Sequence, residues 1–306
     1  MSPSFMQQGY WDEFMERTGI PQEARAFLWQ ARSTIFARDE QRKAFEEQVI
    51  AFTGEPHTRS PEVLQNAGEM AQRLGHHAYT FHFLLLVHAS EILRRQYAFI
   101  GIAEDVFWDT MGDLQYKLME CWNLYGIWGT CDGWWYKIFF SADIFMLGRL
   151  QYERVLYPKR EGYSRGDVHV RWGDPVLSIH IPSSGPLDHA LCLDSYRKAH
   201  AFFERRKGPL ICICHSWLLF PGHEEFLPER SNILQFMRDF DIIEADVYEA
   251  PHGNTRIFGA RAKDTPETWP EDTGLRRAYK ARILTGGTTG AGFGVMVFDG
   301  NKIIRL

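Results

Sequence analysis

The stretch ICICHSWLLFPG, Ile211 to Gly222, decides how the second half of the chain is interpreted, because it fits a zinc site, a catalytic pair or a buried strand. Side chains alternate between the two faces of a strand, so both cysteines and Ser216 lie on one face while His215 lies on the other. Zinc would need ligands aimed both ways from one strand, and a Cys214–His215 nucleophile pair would diverge in the same manner. The stretch therefore predicts a buried strand in which Cys212 and Cys214 pack as small hydrophobes, and no metal is expected.

The end of this strand, predicted over 210–218, is where we expect chemistry. Ligands of open sheets gather beyond the carboxyl ends of strands. His215 is a candidate catalytic base there, because histidine titrates near neutral pH, and Ser216 is the second candidate catalytic residue. The alternative for His215 is a structural side chain that is bonded to a neighbouring carbonyl group.

Ser231 and Asn232 open a predicted helix after this strand and its loop. The N–H groups at a helix start can bind a phosphate or carboxylate, so both residues are candidate cofactor-binding positions. An ordinary N-cap explains Ser231 equally well.

The glycine-rich run GGTTGAGFG, Gly286 to Gly294, resembles a phosphate loop only in composition. It follows a predicted helix and precedes a strand, whereas phosphate loops follow a strand and open a helix. The run therefore predicts a helix C-cap at Gly286 or Gly287, with later glycines that permit a tight turn or a close backbone approach.

The period of the apolar residues changes near residue 150. Before it the spacing is helical, and after it alternation dominates, with turns of glycine and proline between short runs. We predict an α+β protein with a mainly helical N-terminal domain and an α/β C-terminal domain. The predicted domains are 1–150 and 151–306, with a β-hairpin formed by 168–172 and 176–181 and a strand at 256–260.

The amino-acid composition limits the classes of function and partner that are expected for this protein. The net charge of −5 argues against a nucleic-acid partner, and the longest apolar run is too short to span a bilayer. Five cysteines at irregular spacing, without a secretion signal before them, predict a cytoplasmic protein with reduced thiols. High aromatic content favours a small-molecule ligand, and the run Trp134-Trp135-Tyr136 fits either core or pocket wall. Oligomeric state cannot be predicted from these features.

Several stretches of the second half resemble the GNAT-like C-terminal domain of a group of bacterial acyltransferase-domain proteins. They are HIPSSGPL (180–187), CHSWLL (214–219), LPERSNILQFMRDF (227–240) and LRRAYKARILTGGTTGAGFGV (275–295). The helical first half resembles the N-acyltransferase-type N-terminal domain that accompanies it. The resemblance implies a GNAT-like mixed or antiparallel sheet with flanking helices.

The same resemblance implies transfer of an acyl group from acyl-coenzyme A to a small-molecule amine or hydroxyl group. Typical GNAT enzymes hold the pyrophosphate with an Arg/Gln-x-x-Gly-x-Gly/Ala loop between a central strand and a helix. After the strand at 210–218 the chain reads LFPGHEEFLPERSN, without that pattern. This departure favours the alternative function, that of a catalytically inactive GNAT-like module with a ligand-binding or regulatory role.

Overall fold

The structure, a computed structural model, describes residues 7–54, 60–203, 208–248 and 254–304. The chain divides into two compact units, residues 1–145 and 146–306. Helices make up the first unit, while the second contains a six-stranded sheet with flanking helices. The predicted α+β class is confirmed, and the domain boundary near residue 150 stays a prediction.

One long helix organises the first unit. The described helices are α1 (Gln8–Arg17), α2 (Gln22–Phe36), α3 (Asp39–Thr53), α4 (Ser60–Arg73), α5 (Ala78–Phe99), α6 (Glu104–Met111), α7 (Asp113–Tyr125) and α8 (Lys137–Phe140). Helix α5 is apolar on all sides through its middle, and it packs against α1, α2, α3, α4 and α6. Although α5 is long, no helix in the described ranges is apolar enough over sufficient length to cross a membrane.

The aromatic run 134–136 is divided between core and surface. Tyr136 is fully buried, and its hydroxyl donates a hydrogen bond to Oδ2 of Asp113 at 2.8 Å. Trp134 is 59% exposed, and Trp135 is half-buried. Tyr136 therefore belongs to the core of the first unit.

The second unit contains one large mixed sheet, whose first strand begins with the last two residues of the first unit, and one small sheet. Its strands are β1 (Ile144–Leu147), β2 (Leu150–Leu156), β3 (Tyr163–Arg165), β4 (Val168–Val170), β5 (Pro175–His180), β6 (Leu210–Ser216), β7 (Asp241–Tyr248) and β8 (Thr289–Phe298). The described helices are α9 (His189–Phe203), α10 (Asn232–Met237), α11 (Asn254–Phe258) and α12 (Gly274–Leu284). The large sheet has the order β1-β2-β5-β6-β8-β7, and within it β5 and β6 are parallel neighbours.

Two predictions about strands are wrong. The segments 168–172 and 176–181 do not form a hairpin, because β4 pairs with β3 while β5 pairs antiparallel with β2. The turn between them continues the β2 pairing, since Tyr157 N–H donates to the Asp174 carbonyl and Gly173 N–H donates to the Tyr157 carbonyl. The predicted strand 256–260 instead lies in α11 and the 3-10 turn after it, where burial follows helical spacing.

The two faces of the large sheet are covered differently. A buried cluster on one face joins the small sheet to β5, β6 and β8, and it consists of Tyr157, Tyr163, Val170, Val176, Ile213, Phe293 and Val295. Helix α9 covers the opposite face, where Ser195 Oγ lies 3.0 Å from the Tyr152 hydroxyl oxygen. Cys212 and Cys214 are fully buried on the α9 side, as alternation from Ile213 requires.

The glycines of strand β8 are required by close packing against neighbouring backbone. A Cβ on Gly292 would stand 2.2 Å from the carbonyl oxygen of Leu219, and one on Gly290 would stand 2.0 Å from that of Asp246. Gly286, with φ of +75°, ends α12 in the left-handed region. The interpretation of the run as a C-cap followed by close backbone approach agrees with this geometry.

Candidate functional site

The ladder between the parallel strands β5 and β6 stops before either strand ends. They pair at two positions, the second of which joins Ser178 to Ile213. Beyond that pair β5 continues to His180 and β6 continues to Ser216, but the ladder between the two strands does not. The carboxyl ends of neighbouring strands are where open sheets bind ligands.

Two histidines lie at these strand ends on one face of the sheet. His180 lies two residues after Ser178, and His215 lies two residues after Ile213, so both share the face of those partners. Had the ladder continued, its register would have placed His180 directly opposite His215. The sequence analysis selected the end of β6. The structure places a second histidine, His180, at the end of the neighbouring strand β5.

His180 is paired with a carboxylate from the adjacent strand. Glu153 lies opposite Ser178 and is thus the diagonal neighbour of His180 on the same face. Its Oε2 lies 2.7 Å from Nε2 of His180, and the two side chains are 20% and 27% exposed. A carboxylate bonded to one ring nitrogen orients an imidazole and stabilises its protonated form, which is the arrangement a general base needs.

His215 is more exposed and less constrained. Its side chain is 57% exposed, and Nε2 lies 3.9 Å from Oδ2 of Asp246. Its ring centroid lies 6.3 Å from that of Phe293. A solvent-exposed pair at this distance holds a side chain weakly. The assignment of His215 as a catalytic base stays a prediction.

Ser216 has a local structural partner. Its Oγ accepts a hydrogen bond from the Leu218 N–H at 3.2 Å, which caps the 3-10 turn Trp217–Leu219. This cap ends β6 at Ser216, two residues before the predicted end of the strand. Its assignment to catalysis stays a prediction as well.

Ser231 caps α10. Its Oγ accepts a hydrogen bond from the Ile233 N–H at 3.2 Å, while Asn232 is the exposed first residue of the helix. The helix has six residues, so its dipole is small. Phosphate binding by Ser231 and Asn232 stays a prediction.

The loop between β5 and α9 is held by a buried arginine. Arg149 donates hydrogen bonds to the carbonyl oxygens of Pro182, Gly185 and Pro186 at 3.1, 2.8 and 3.0 Å. The loop IPSSGPLD, residues 181–188, is the segment that leads from a central strand directly into a long helix. Arg149 therefore fixes the chain that follows His180.

Both cysteines of the opening stretch are fully buried. Burial raises the pKa of the Cys214 thiol to about 12 and that of Cys212 higher still, so both remain protonated. Within the described ranges, no group of three or more His, Cys, Asp or Glu side chains is placed to hold a metal ion.

Sequence reasoning missed Glu153, His180 and Arg149 as members of the site. HIPSSGPL was recognised as distinctive, but a partner for its histidine could not be chosen because β5 was paired with the wrong strand. Once β2 is the neighbour of β5, alternation alone predicts that Glu153 and His180 share a face.

Comparisons with known proteins agree with this architecture. The N-terminal part, residues 10–142, matches the N-acyltransferase N-terminal domain, and residues 144–296, half of the chain, match the GNAT-like C-terminal domain. The fold is thus that of a two-part acyltransferase-type protein. The chain belongs to the family defined by this GNAT-like C-terminal domain. A comparison with curated proteins finds no match.

Solved structures share the fold at low identity. A mutant acyltransferase in complex with octanoyl-CoA has a TM-score of 0.73 and 20% identity, covering 95% of this chain and 88% of its own. An acyltransferase in complex with decanoyl-CoA and teicoplanin has a TM-score of 0.62 and 22% identity, covering 94% and 99%. These likenesses establish the fold.

Proposed function

We propose that this protein transfers an acyl group from acyl-coenzyme A to an amine or hydroxyl group of a small molecule. Its family and its fold are those of acyltransferases, and the structures that it resembles contain octanoyl-CoA or decanoyl-CoA. One of those structures also contains teicoplanin, which supports a small-molecule acceptor.

The Glu153–His180 pair carries the proposal. His180 is the last residue of β5, beyond the point where the ladder with β6 stops, and Glu153 faces it from β2. In the proposed reaction the acceptor nitrogen or oxygen attacks the thioester carbonyl carbon, and His180 takes the proton that the acceptor loses. Glu153 holds Nε2 and orients the imidazole for this transfer. Coenzyme A leaves as the thiol.

His215 is the competing base, and the two histidines can be separated experimentally. His180→Ala should lower kcat by roughly 10²–10⁴-fold, the usual scale for loss of a general base. The matched control is His169→Ala on β4, whose ring bonds to exposed Ser164. If His215→Ala lowers kcat by that amount while His180→Ala does not, the base is His215 and the assignment of His180 is wrong.

Binding of the acyl donor can be tested before acyl transfer is assayed. A ligand that binds only the folded protein raises its melting temperature by mass action. We expect acyl-coenzyme A to do so, and coenzyme A alone to do so more weakly if the acyl chain is also bound. A shift without release of free thiol, for any chain length and a panel of amines, would favour the inactive ligand-binding module. No shift with any acyl-coenzyme A would rule out the proposed donor.

The donor phosphates and the cellular location are part of the same proposal. Ser231 and Asn232 remain the proposed phosphate contacts, and Ser231→Gly, which preserves much of the cap, should weaken donor affinity if they are. All five cysteines are free thiols, which supports a cytoplasmic location. The net charge of −5 supports a small-molecule partner rather than nucleic acid.

A further inference from the structure

A cavity of about 710 Å³ lies in the second unit, where the end of α9 meets the large sheet. The sheet contributes the end of β2 and the starts of β5 and β6, and α9 contributes Phe202 and Phe203. The apolar side chains that line it from the α9 face of the sheet are Leu156, Pro175, Leu177 and Leu210. A volume of this size is typical of cavities that bind small molecules.

The cavity is separate from the Glu153–His180 pair. Leu177 pairs with Cys212, whose side chain lies on the α9 side of the sheet, so Leu177 faces α9 as well. His180 comes three residues later and therefore faces the opposite side. It is also the last residue of β5, whereas the cavity lies at the first residues of this strand. A ligand in the cavity would thus lie at the other end of β5, and on the other face of the sheet, from the proposed base.

The walls of the cavity are apolar and open to solvent. Leu156 is 66% exposed, although it lines a concave surface. The rings of Phe202 and Phe203 lie edge to face with their centroids 4.9 Å apart, and both side chains are half-buried. Transfer of such surface from water to contact with a hydrocarbon chain is favourable in proportion to the area covered. The walls therefore favour a ligand with a hydrocarbon part.

The cavity also carries positive charge. Arg154 follows Tyr152 by two residues on β2, so it shares the α9 face, and its guanidinium carbon lies 5.5 Å from the centroid of the Phe203 ring. His200, one helical turn before Phe203, lines the cavity too. A guanidinium has five N–H donors, so it can bind a carboxylate in addition to its contacts within the protein. Among the lining residues that the structure describes, none is acidic.

We propose that this cavity is a binding site for an aliphatic carboxylate, independent of the acyl-transfer site. The hydrocarbon chain lies between the sheet and the two phenylalanines, and the carboxylate accepts hydrogen bonds from Arg154. A neutral alcohol of the same chain length lacks the charged group that Arg154 binds. Coenzyme A carries several negative charges on its phosphates, whereas the described lining provides one arginine and one histidine.

The test is titration of the full-length protein with octanoate, followed by isothermal titration calorimetry. We expect one equivalent to bind, and octanol to bind at least about tenfold more weakly, because hydrogen bonds to a charged group contribute strongly to affinity. Saturating coenzyme A and the substitution His180→Ala should each leave the affinity for octanoate unchanged. Loss of octanoate binding in either case would place the carboxylate in the acyl-transfer site and overturn the proposal.

Two variants locate the bound carboxylate. Leu156→Trp fills the cavity from an exposed position, so it should weaken octanoate binding at least about tenfold while the melting temperature stays unchanged. Its control is Val247→Trp, because Val247 is 62% exposed on β7 and lies outside the cavity lining. Arg154→Gln should weaken the binding of octanoate and leave that of octanol unchanged. Arg160→Gln, at an exposed arginine outside the lining, is the control for the change of charge.

Three results would contradict the proposed site. The first is absence of octanoate binding to the unmodified protein, and the second is equal octanoate affinity of Leu156→Trp and Val247→Trp. The third is a dimer, measured by light scattering, that Leu156→Trp dissociates, because a second copy of the chain would then cover the cavity. Each of these results leaves the proposed acyl transfer untouched, since that reaction is assigned to the opposite end of β5.

Discussion

His189, the first residue of α9, bonds both carboxylate oxygens of Asp239. Its Nε2 lies 2.9 and 3.0 Å from Oδ1 and Oδ2, and the Tyr196 hydroxyl donates to Oδ2 at 3.0 Å. The Asp239 side chain is fully buried. A buried carboxylate is tolerated when its hydrogen bonds are satisfied, so this network joins the start of α9 to the segment between α10 and β7.

Removal of this carboxylate should destabilise the second unit strongly. Asp239→Ala leaves His189 and Tyr196 without their acceptor, and a buried polar group left without a partner costs about 1–3 kcal/mol of unfolding free energy. Asp194→Ala on the same helix is the control, because the Asp194–Lys198 pair is more than half exposed and should contribute under about 1 kcal/mol. Urea unfolding of both variants measures the difference. Equal losses of unfolding free energy in the two variants would show that the Asp239 network contributes no more than the exposed Asp194–Lys198 pair.

The glycines of β8 provide a second prediction about stability. Gly292→Ala places a methyl group 2.2 Å from a backbone oxygen, which cannot rotate away. We expect a loss of about 1–3 kcal/mol, typical of overpacking. Gly274→Ala at the start of α12 is the control, because its Cβ meets only the end of Arg277 at 4.0 Å. A Gly292→Ala protein as stable as the control would mean that the turn after β6 shifts freely.

Local signals in the sequence sufficed for much of this fold. Alternation in 210–218 predicted a buried strand, and the structure has β6 over Leu210–Ser216. The glycine run was interpreted correctly because its order, helix then strand, is visible in the sequence. Each of these features depends on neighbours that are a few residues away in the chain.

Pairing between distant strands could not be predicted in the same way. The hairpin at 168–181 looked correct because both segments alternate and a turn separates them, yet β5 pairs with β2 across the intervening small sheet. The candidate site depends on that choice, since Glu153 and His180 meet only when β2 and β5 are neighbours. Alternation specifies which face a residue occupies, but several strands can supply the partner.

His223 should make stability depend on pH. It is fully buried in the 3-10 turn Pro221–Glu225, with Nε2 2.5 Å from the Tyr279 hydroxyl oxygen, and burial lowers its pKa to about 4. The unfolded chain binds the proton below about pH 6.5, whereas the folded protein does so only near pH 4. Its contribution is therefore complete above about pH 6.5 and is lost as the pH falls toward 4.

A variant that cannot titrate isolates this effect. Glutamine can still bond to Tyr279, so His223→Gln should remove the slope of about 1.4 kcal/mol per pH unit that one proton contributes between pH 4 and 6.5. Unfolding free energies of both proteins at pH 4.5, 5.5 and 7 provide the comparison. If the unfolding free energies of the two proteins change with pH in parallel, His223 has the same pKa in the folded and in the unfolded chain.

Arg149 should act on catalysis through the loop that follows His180. Lysine keeps the charge but cannot reach three carbonyl oxygens with a planar fork, so Arg149→Lys should loosen residues 182–188. Hydrogen exchange of the amides in this loop should speed up, while exchange in β6 stays unchanged. If acyl transfer depends on the geometry of His180, kcat should fall about 10–100-fold with a smaller change in KM, because small displacements of a reacting group cost this much. Arg276→Lys is the control, since Arg276 also donates to a backbone carbonyl, that of Ile257, on α11. Unchanged exchange in the loop would show that Arg149 does not hold it, whatever reaction the protein catalyses.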